Sequence, residues 1–424
     1  MSYYQKYFPA EEVFGFATLH HVGFEDRREF VCVTSQNVWR RYQSADTPED
    51  LRKLAVKAGT NGSVHLGPYF EQAAPRARGK GIVGKQLPFD LDLTDISFLG
   101  IKKTDQTSND RWVRLVFGHV EILRAVLHEI FGFVHFLPVY SGGRGAHLWV
   151  LDKRANDLSD DARRGICGML KPRTRKHDKR LFVATDILDH PSFDGTEVKS
   201  AMHDVLVNVL LAPVFKGGVG MLEGAIDVVL FIDRLFFRFD DDPVARKFHN
   251  VEQACEARIR DEMRQSNAFN HDAFVKLKSI LHLGAEQQTA KKKPTAEAIV
   301  FRNLVRTLDD VIFTLCWPTL DAGPTASMNH VLKLPFSQHA TTQRIAVPVT
   351  KLIPQNGTAL NLPPIVTVAD LGLDGSLGRS LFDVGVSCLK KAVEASIPKD
   401  VHTSMDIEDM AGPAARPHKA TKFE

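Results

Sequence analysis

Asp90 and Asp92 lie two residues apart in the stretch LPFDLDLTD, residues 87–95, where they alternate with apolar residues. Apolar residues alternate there with Asp90, Asp92 and Thr94, which predicts a strand with both carboxylates on one face. Paired carboxylates hold hard cations such as Mg²⁺ through oxygen ligands, and two such ions can act together in phosphoryl transfer. The stretch is therefore a candidate metal site. A solvent-facing strand with incidental aspartates is the alternative interpretation.

A second group of polar residues lies in VYSGGRGAHLWV, residues 139–150. Ser141, Arg144 and His147 flank a glycine-rich turn between two predicted strands. A hydroxyl, a guanidinium and the N–H groups of such a turn suit the oxygens of a triphosphate. An ordinary hairpin with a buried histidine explains the same residues.

A third carboxylate, Asp321, begins the stretch LDAGPTASMNHVLKLPFSQH, which continues to Lys333 and His339. A cation and an imidazole that follow an aspartate are compatible with phosphate binding. Taken alone, these three residues also have many structural explanations.

A basic segment, KPRTRKHDKR at residues 171–180, has six Lys or Arg residues in ten, among them Lys171, Arg173, Arg175 and Lys176. Such a block indicates either contact with a nucleic-acid backbone or a solvated loop. The net charge of +3 is too small to indicate a partner.

The composition, with 44% hydrophobic and 25% charged residues, is typical of a globular protein in water. No run approaches the ~20 apolar residues of a membrane span, and the first residues contain no apolar signal segment. Five separated cysteines without a CxxC pair do not predict a disulfide framework or a cysteine-only zinc site. We therefore expect an intracellular protein that does not enter the membrane.

The hydrophobic periodicity predicts an α/β protein with a helical insertion. Strands are expected at REFVCV, NVWRRYQS, FLPVYS and GAHLWVLD, with a helix from about Thr47 and a long one from Asp110 to Ile130. Four segments follow from this pattern: a first α/β part of the core at 1–156, a mainly helical insertion and linker at 157–295, a closing α/β part at 296–402, and a disordered tail at 403–424.

The three chemical stretches, in this order, resemble the catalytic small subunit of the archaeal and eukaryotic type of DNA primase. The resemblance is carried by FDLDLTD, VYSGGRGAHLWV and the sequence LD…NHVLKLPFSQH…RIAVPV. YYQKYFP, REFVCV and RRYQS near the N-terminus resemble the opening of the same family. The likeness covers residues 1–155 and 310–350, and the helical region between them is similar only in kind.

The resemblance implies an α+β fold with a mixed sheet, and template-directed synthesis of short RNA primers from NTPs on single-stranded DNA. It implies two Mg²⁺ or Mn²⁺ ions held by Asp90, Asp92 and Asp321. It also implies a set of residues that contact the nucleotide: Arg28, Ser141, Arg144, His147, Lys333 and His339. The implied partners are a primase large subunit and a complex like that of DNA polymerase alpha, in the nucleus.

Three departures from the family pattern affect these expectations. Residues 96–112 contain no cysteine, so we predict no structural zinc there. Gly143 precedes Arg144 where the family usually has two adjacent arginines, so one phosphate contact is expected to be missing. His65 replaces the family aspartate that is associated with the sugar hydroxyls, which makes the preference for ribose uncertain.

Two other functions are compatible with the same residues. One is a primase-polymerase that prefers dNTPs in repair or translesion synthesis, which relative incorporation of NTP and dNTP would distinguish. The other is a catalytically silent scaffold for a replisome partner. The presence of all three carboxylates argues against silence.

Overall fold

The computed structural model describes residues 2–21, 23–92, 110–143, 145–171, 173–174, 183–184, 196–205, 249–265, 270–286, 295–318, 320–349, 366–373 and 376–397. The strands are β1 (Arg28–Val33), β2 (Trp39–Gln43), β3 (Ser63–Phe70), β4 (Ile82–Gly84), β5 (Leu87–Asp92), β6 (Phe136–Tyr140), β7 (Gly145–Val150), β8 (Arg173–Thr174), β9 (Val183–Ala184) and β10 (Leu332–Lys333). The helices are α1 (Tyr3–Lys6), α2 (Ala10–Ala17), α3 (Pro48–Ala58), α4 (Ala74–Ala77), α5 (Asp110–Glu129), α6 (Lys153–Asn156), α7 (Asp160–Leu170), α8 (Thr196–Val205), α9 (His249–Gln265), α10 (Asn270–Glu286), α11 (Ala296–Cys316), α12 (Ala322–Ala326), α13 (Val368–Leu371) and α14 (Leu377–Ser396). This mixture of helices and strands confirms the predicted α+β class.

Two antiparallel sheets form the centre of the fold. The first has the order β10-β3-β1-β2, with β4 also paired to β3, and the second has the order β5-β7-β6. A third, two-stranded sheet consists of β8 and β9. Because β10 follows β3 by more than half of the chain, the first sheet is completed only by a late segment.

The second sheet separates two hydrophobic cores. Leu87, Phe89 and Leu91 of β5 belong to the core that the long helix α5 covers. Trp149 of β7 belongs to the other core, which also contains the apolar face of the first sheet. The alternation of apolar and acidic residues in β5 therefore has the predicted effect, since the apolar side chains face a core and Asp90 and Asp92 face away from it.

Local sequence signals place the ends of several elements. Helix α3 begins after Thr47, whose hydroxyl accepts a hydrogen bond from the Asp50 N–H at 3.1 Å, and Pro48 occupies the first helical position. Helix α5 ends at Glu129, and Gly132 adopts a left-handed φ of 67° shortly afterwards. The predicted start near Thr47 and the predicted helix 110–130 are both confirmed.

The helical part contributes to the same core as α5. Helix α8 packs on α5, and helices α9, α10 and α11 pack on one another. Helix α11 thus packs with the helical part, although its sequence begins the closing segment predicted from residue 296. The predicted tail at 403–424 lies outside the described residues. None of the described helices combines the length and apolar character of a membrane span.

Candidate active site

Asp90 and Asp92 lie on β5, on the face of the second sheet that is turned toward the first sheet. Asp90 is paired with His147 of β7, and Asp92 is paired with Gly145. The Asp90 Oδ1 atom lies 3.8 Å from His147 Nε2, and the Asp90 side chain is 25% exposed. The strand register therefore brings together residues from two of the predicted chemical stretches.

Asp321 lies next to Asp90 through a backbone contact. The Asp321 N–H donates to the Asp90 carbonyl oxygen at 2.9 Å, which forms an isolated antiparallel bridge between the two residues. The Asp321 side chain caps α12, because its Oδ1 atom accepts a hydrogen bond from Gly323 N–H at 2.9 Å. The hydrogen bond to one carboxylate oxygen thus orients the Asp321 side chain. The backbone bridge keeps Asp321 beside Asp90, although the two residues are far apart in the sequence.

Lys333 connects the two sheets. On β10 it is paired with His65 of β3, and its Nζ atom donates a hydrogen bond to the backbone oxygen of Ser141, at the start of the turn between β6 and β7. Burial lowers the pKa of Lys333 from 10.5 to about 8, although the charge of Asp90 opposes this shift. The lysine is therefore a cation at neutral pH that lies between the aspartates and the glycine-rich turn.

The carboxylates repel one another in this arrangement. Burial raises the pKa of Asp90 from 3.8 to about 7, and the negative charges of Asp321 and Asp92 add to the shift, while Lys333 opposes it. Because an added positive charge would relieve both the desolvation and the repulsion, the site favours a cation.

His147 is a neutral imidazole. Its side chain is almost fully buried, and burial together with the nearby positive charge of Lys333 lowers its pKa well below 6.5. Its Nδ1 atom has no hydrogen-bond partner among the described residues. A neutral ring with one nitrogen near Asp90 can offer hydrogen bonds to a ligand, but it does not add charge at neutral pH.

The glycine-rich turn is held by the loop that contains His339. Thr342 Oγ1 donates to the Gly142 oxygen at 2.6 Å, and the Tyr140 hydroxyl donates to the Gly143 oxygen at 2.9 Å. Within the turn, Ser141 Oγ accepts the N–H groups of Gly143 and Gly145, each at 3.3 Å. These two N–H groups are therefore bonded within the turn. From the sequence, N–H groups of this turn were expected to bind the oxygens of a triphosphate.

The turn has little room for a side chain at position 143. A Cβ atom added to Gly143 would lie 2.8 Å from His339 Nε2. The imidazole of His339 therefore occupies the space next to the position where the primase family usually has its first arginine.

Gly145 lies too close to β5 to be replaced by a residue with a side chain. A Cβ atom there would lie 2.4 Å from the Leu91 backbone oxygen, so β5 and β7 would have to separate. We expect Gly145→Ala to lower the free energy of unfolding by about 1–3 kcal/mol, as overpacking does. Urea unfolding measures this change. Gly165→Ala in α7 is the control, because nothing lies within 4 Å of that added atom; an equal loss in both variants would contradict the steric argument.

A surface cavity of about 370 Å³ opens between β2 and the residues just before β10. It is lined by Trp39, Arg41, Ser327, Asn329, His330 and Val331. The ring centre of the half-exposed Trp39 lies 5.2 Å from that of His65. This cavity was not predicted from the sequence. Its residues nevertheless lie in the predicted strand NVWRRYQS and in the stretch that contains NHVLK.

Arg41 is held in place at this cavity by a buried acid. Its Nε atom donates to Glu29 Oε1 at 2.9 Å, and its Nη2 atom donates to the Asn329 backbone oxygen at 3.0 Å. The hydrogen bond that Arg41 donates to Glu29 raises the pKa of Arg41 above its ordinary value. Arg41 is therefore a permanent, oriented cation at the rim of the site.

The structure does not bring Arg28 to the aspartates. Its side chain is fully buried, donates to Gln86 Oε1, and stacks on the Tyr69 ring at 4.4 Å. Burial lowers its pKa to about 10. A contact with nucleotide stays a prediction for Arg28, and it would require this side chain to leave the core.

The remaining predicted residues lie partly outside the described part of the chain. Arg144, Arg175 and Lys176 are not described, and nor are residues 96–109 of the segment predicted to lack zinc. Lys171 is exposed immediately after α7, and Arg173 lies in β8. The function of the basic segment stays a prediction.

The donor set has the chemistry that divalent cations prefer, because Asp90, Asp92 and Asp321 all offer hard carboxylate oxygens. Within the described ranges, no group of three or more His, Cys, Asp or Glu side chains is arranged so that it could hold a metal ion. However, Mg²⁺ commonly uses one or two protein carboxylates and completes its shell with water and substrate phosphate. Pairs of these aspartates therefore fit such an ion, whereas a three-ligand cage is not formed.

Comparison with known proteins identifies similar sequences. The family model described as DNA primase small subunit matches residues 89–351. The chain is 26% identical over 360 residues to the DNA primase small subunit of Schizosaccharomyces pombe, covering 82% of this chain and 72% of that protein. It is 24% identical over 365 residues to that of Saccharomyces cerevisiae, covering 82% and 80%. A shorter match, 28% over 138 residues and 32% of each chain, is to the DNA primase small subunit PriS of Haloarcula marismortui.

Proposed function

The chain belongs to the DNA primase small-subunit family, and from this membership we propose that it is a catalytic subunit that synthesises short RNA primers on single-stranded DNA. The observation that supports catalysis is the convergence of Asp90, Asp321 and Lys333, which come from separate parts of the chain. The two aspartates would bind metal cations, and the positively charged lysine beside them would bind phosphate. A protein that only served as a scaffold would not need this arrangement.

Asp90, Asp92 and Asp321 would hold two Mg²⁺ or Mn²⁺ ions. When bound, such ions neutralise charge on the triphosphate and favour the departure of pyrophosphate. The protein residues supply the positioning. In-line attack by a 3′-hydroxyl on the α-phosphate needs two oriented reactants and compensation of charge more than it needs a protein nucleophile.

The triphosphate would lie between the glycine-rich turn and β10. Lys333 supplies a compact positive charge there, and Ser141, Arg144 and His339 would add donors, whereas neutral His147 would add a hydrogen bond without charge. The cavity lined by Trp39, Arg41 and Asn329 would hold the sugar and base, with Trp39 available for stacking.

We also propose the assembly and compartment that the family implies. The subunit would form a heterodimer with a primase large subunit, work with a polymerase complex like DNA polymerase alpha, and be located in the nucleus. The segment at 171–180 would contact the template backbone. In that case the affinity for single-stranded DNA falls steeply with salt, and a charge-reversed segment shows a smaller salt dependence.

De novo synthesis on single-stranded DNA tests the proposal. Labelled NTPs or dNTPs are supplied with Mg²⁺ or Mn²⁺, with and without a candidate large subunit, to the wild type and to Asp90→Ala/Asp92→Ala. We expect short RNA products that disappear in the variant. Products only from dNTPs on a supplied primer would favour the primase-polymerase, and no product from folded, partner-bound protein would favour the scaffold.

Discrimination between NTP and dNTP should depend on His65, because it lies opposite Lys333 and replaces the family aspartate. Burial, with the charges of Lys333 and His330, lowers the pKa of His65 to about 3, so the ring is neutral. A carboxylate would accept a stronger hydrogen bond from a 2′-hydroxyl. We expect His65→Asp to raise the NTP-to-dNTP ratio of kcat/KM by about 10-fold.

His65→Asn is the control for this measurement, because it keeps a neutral polar group of similar reach. It should leave the ratio within about threefold of the wild type. If His65→Asp and His65→Asn give the same ratio, the side chain at position 65 does not contact the sugar.

A further inference from the structure

A lysine is buried in the wall of the site without a carboxylate partner. Lys85, between β4 and β5, is 1% exposed, and it makes no ion pair within the described part of the chain. Arg28 and Arg163 add positive charge nearby, and Asp160 only partly offsets it. Burial lowers the pKa of Lys85 well below its ordinary value. A buried lysine without a carboxylate partner is costly, so its presence needs a specific explanation.

The side-chain nitrogen of Lys85 binds the loop that follows Asp321. Its Nζ atom donates to the Pro324 oxygen at 2.7 Å and to the Ser327 oxygen at 3.1 Å. These carbonyls lie in and just after α12, the short helix that Asp321 caps. Thr325 provides a second connection, because its Oγ1 atom donates to the Pro88 oxygen of β5 at 2.7 Å.

The backbone of Lys85 is itself fixed. Its N–H donates to the Asn156 oxygen at 3.1 Å, and its carbonyl oxygen accepts a hydrogen bond from Arg163 Nη2. Arg163 Nη1 also donates to the Gln86 oxygen at 3.2 Å. Lys85 therefore extends from an anchored segment that leads directly into the Asp90 strand, and it reaches the loop that carries Asp321.

We propose that Lys85 is a positioning residue, which holds the Asp321 loop against the Asp90 strand so that both carboxylates face one divalent cation. The proposal rests on the proposed function, since it assumes that Asp321 is a ligand. Without Lys85, the Asp90–Asp321 backbone bridge and the Thr325 bond would remain. The N–H of Met328 would also stay bonded to Asp160. However, the carbonyl groups of Pro324 and Ser327 would lose their donor, so the Asp321 carboxylate would be less well ordered.

Lys85→Met tests this, because methionine keeps most of the length and apolar volume of the side chain and removes the donor. Mn²⁺ binding to the full chain is measured by electron paramagnetic resonance of free Mn²⁺, alongside kcat and KM for NTP. We expect Mn²⁺ affinity to fall about 10-fold or more, as it does when outer-shell partners of a metal are removed. kcat should fall with it and recover partly at high Mn²⁺, with KM for NTP within about twofold. Lys80→Met, at an exposed lysine, is the control.

A double-mutant cycle separates positioning from general stability. In an Asp321→Asn background, Lys85→Met should cause no further loss of Mn²⁺ affinity, because its effect acts through Asp321. Additive losses would overturn the proposal. So would a folded Lys85→Met protein with wild-type Mn²⁺ affinity.

Should Lys85→Met fail to fold, Thr325→Val carries the test, since it removes another side-chain connection between the same loop and β5. It should weaken Mn²⁺ binding in the same way, and wild-type affinity in that variant would contradict the proposal. The proposed function fails separately if the wild type neither binds Mn²⁺ nor forms product. If the wild type does both and these variants match it, only the positioning role fails.

Discussion

Asp90→Asn should reduce nucleotidyl transfer by at least about 100-fold and, at the same time, make the metal-free protein more stable. The loss of activity follows from the proposed role of Asp90, because the variant would remove one charged ligand of the metal ions. The gain in stability follows from the raised pKa of Asp90, about 7 instead of 3.8, which shows that the folded protein disfavours the ionised carboxylate. On this basis the variant should gain about 2–4 kcal/mol in the free energy of unfolding at pH 8.

The sign of the pH dependence follows from the same shift. Between about pH 4 and pH 7 the folded state holds the Asp90 proton and the unfolded state does not, so the contribution of Asp90 to wild-type stability falls as the pH rises through this range. The destabilisation of the folded state by ionised Asp90 is complete above pH 7 and absent below pH 4. Denaturant unfolding in EDTA at pH 4.5 and pH 8 measures it.

The surface substitution Asp46→Asn is the control, since Asp46 is exposed. It should change stability little at either pH. Mg²⁺ added to the wild type should reduce the advantage of Asp90→Asn, because bound cations neutralise the repulsion. A variant that is less stable than the wild type at pH 8 in EDTA would show that Asp90 is not under electrostatic strain.

Affinity for nucleoside triphosphate should decrease as the pH rises through about 8, the lowered pKa of Lys333. The protonated amine is the form that attracts phosphate, so binding is strongest below pH 8 and weakens above it. Lys333→Met should bind NTP about 10–100-fold more weakly at pH 7, the value of a lost charge-assisted hydrogen bond. Titration of a fluorescent NTP between pH 6.5 and pH 9.5 measures both effects.

Lys333→Arg separates charge from shape in this experiment. Arginine stays protonated throughout the range, so its NTP affinity should not decline near pH 8 even if the absolute affinity changes. Lys57→Met, at an exposed lysine of α3, should behave as the wild type. A decline near pH 8 that persists in Lys333→Arg would assign the titration to another group.

Much of the secondary structure was predictable because each element contains its own signal. The aspartate strand, the long helix from Asp110 and the cap at Thr47 follow from local periodicity and end residues. The contact between Lys333 and Ser141 could not be predicted in this way, since it joins residues 192 positions apart. No local pattern encodes such a pairing, and only the resemblance to primases suggested that these stretches meet.

Lys85 shows a different limit of sequence reasoning. It lies at the end of RARGKGIVGK, where its neighbours suggest a solvated basic loop. Its burial depends on carbonyl groups in a loop 239 residues away, at Pro324, which need a donor. Arg41 was missed for another reason. The resemblance to primases assigned the nucleotide contact to Arg28 of the nearby REFVCV segment, whereas Arg41 is the arginine that lines the cavity.

The late arrival of β10 and the Asp321 loop has a consequence for biosynthesis. During translation the Asp90 strand leaves the ribosome long before Asp321 and Lys333 exist, so an early nascent chain contains aspartates without their third partner or their cation. Contacts of such high sequence separation form slowly and only after most of the chain is available. If the proposed function holds, incomplete chains that end before about residue 320 would therefore be inert toward nucleotides.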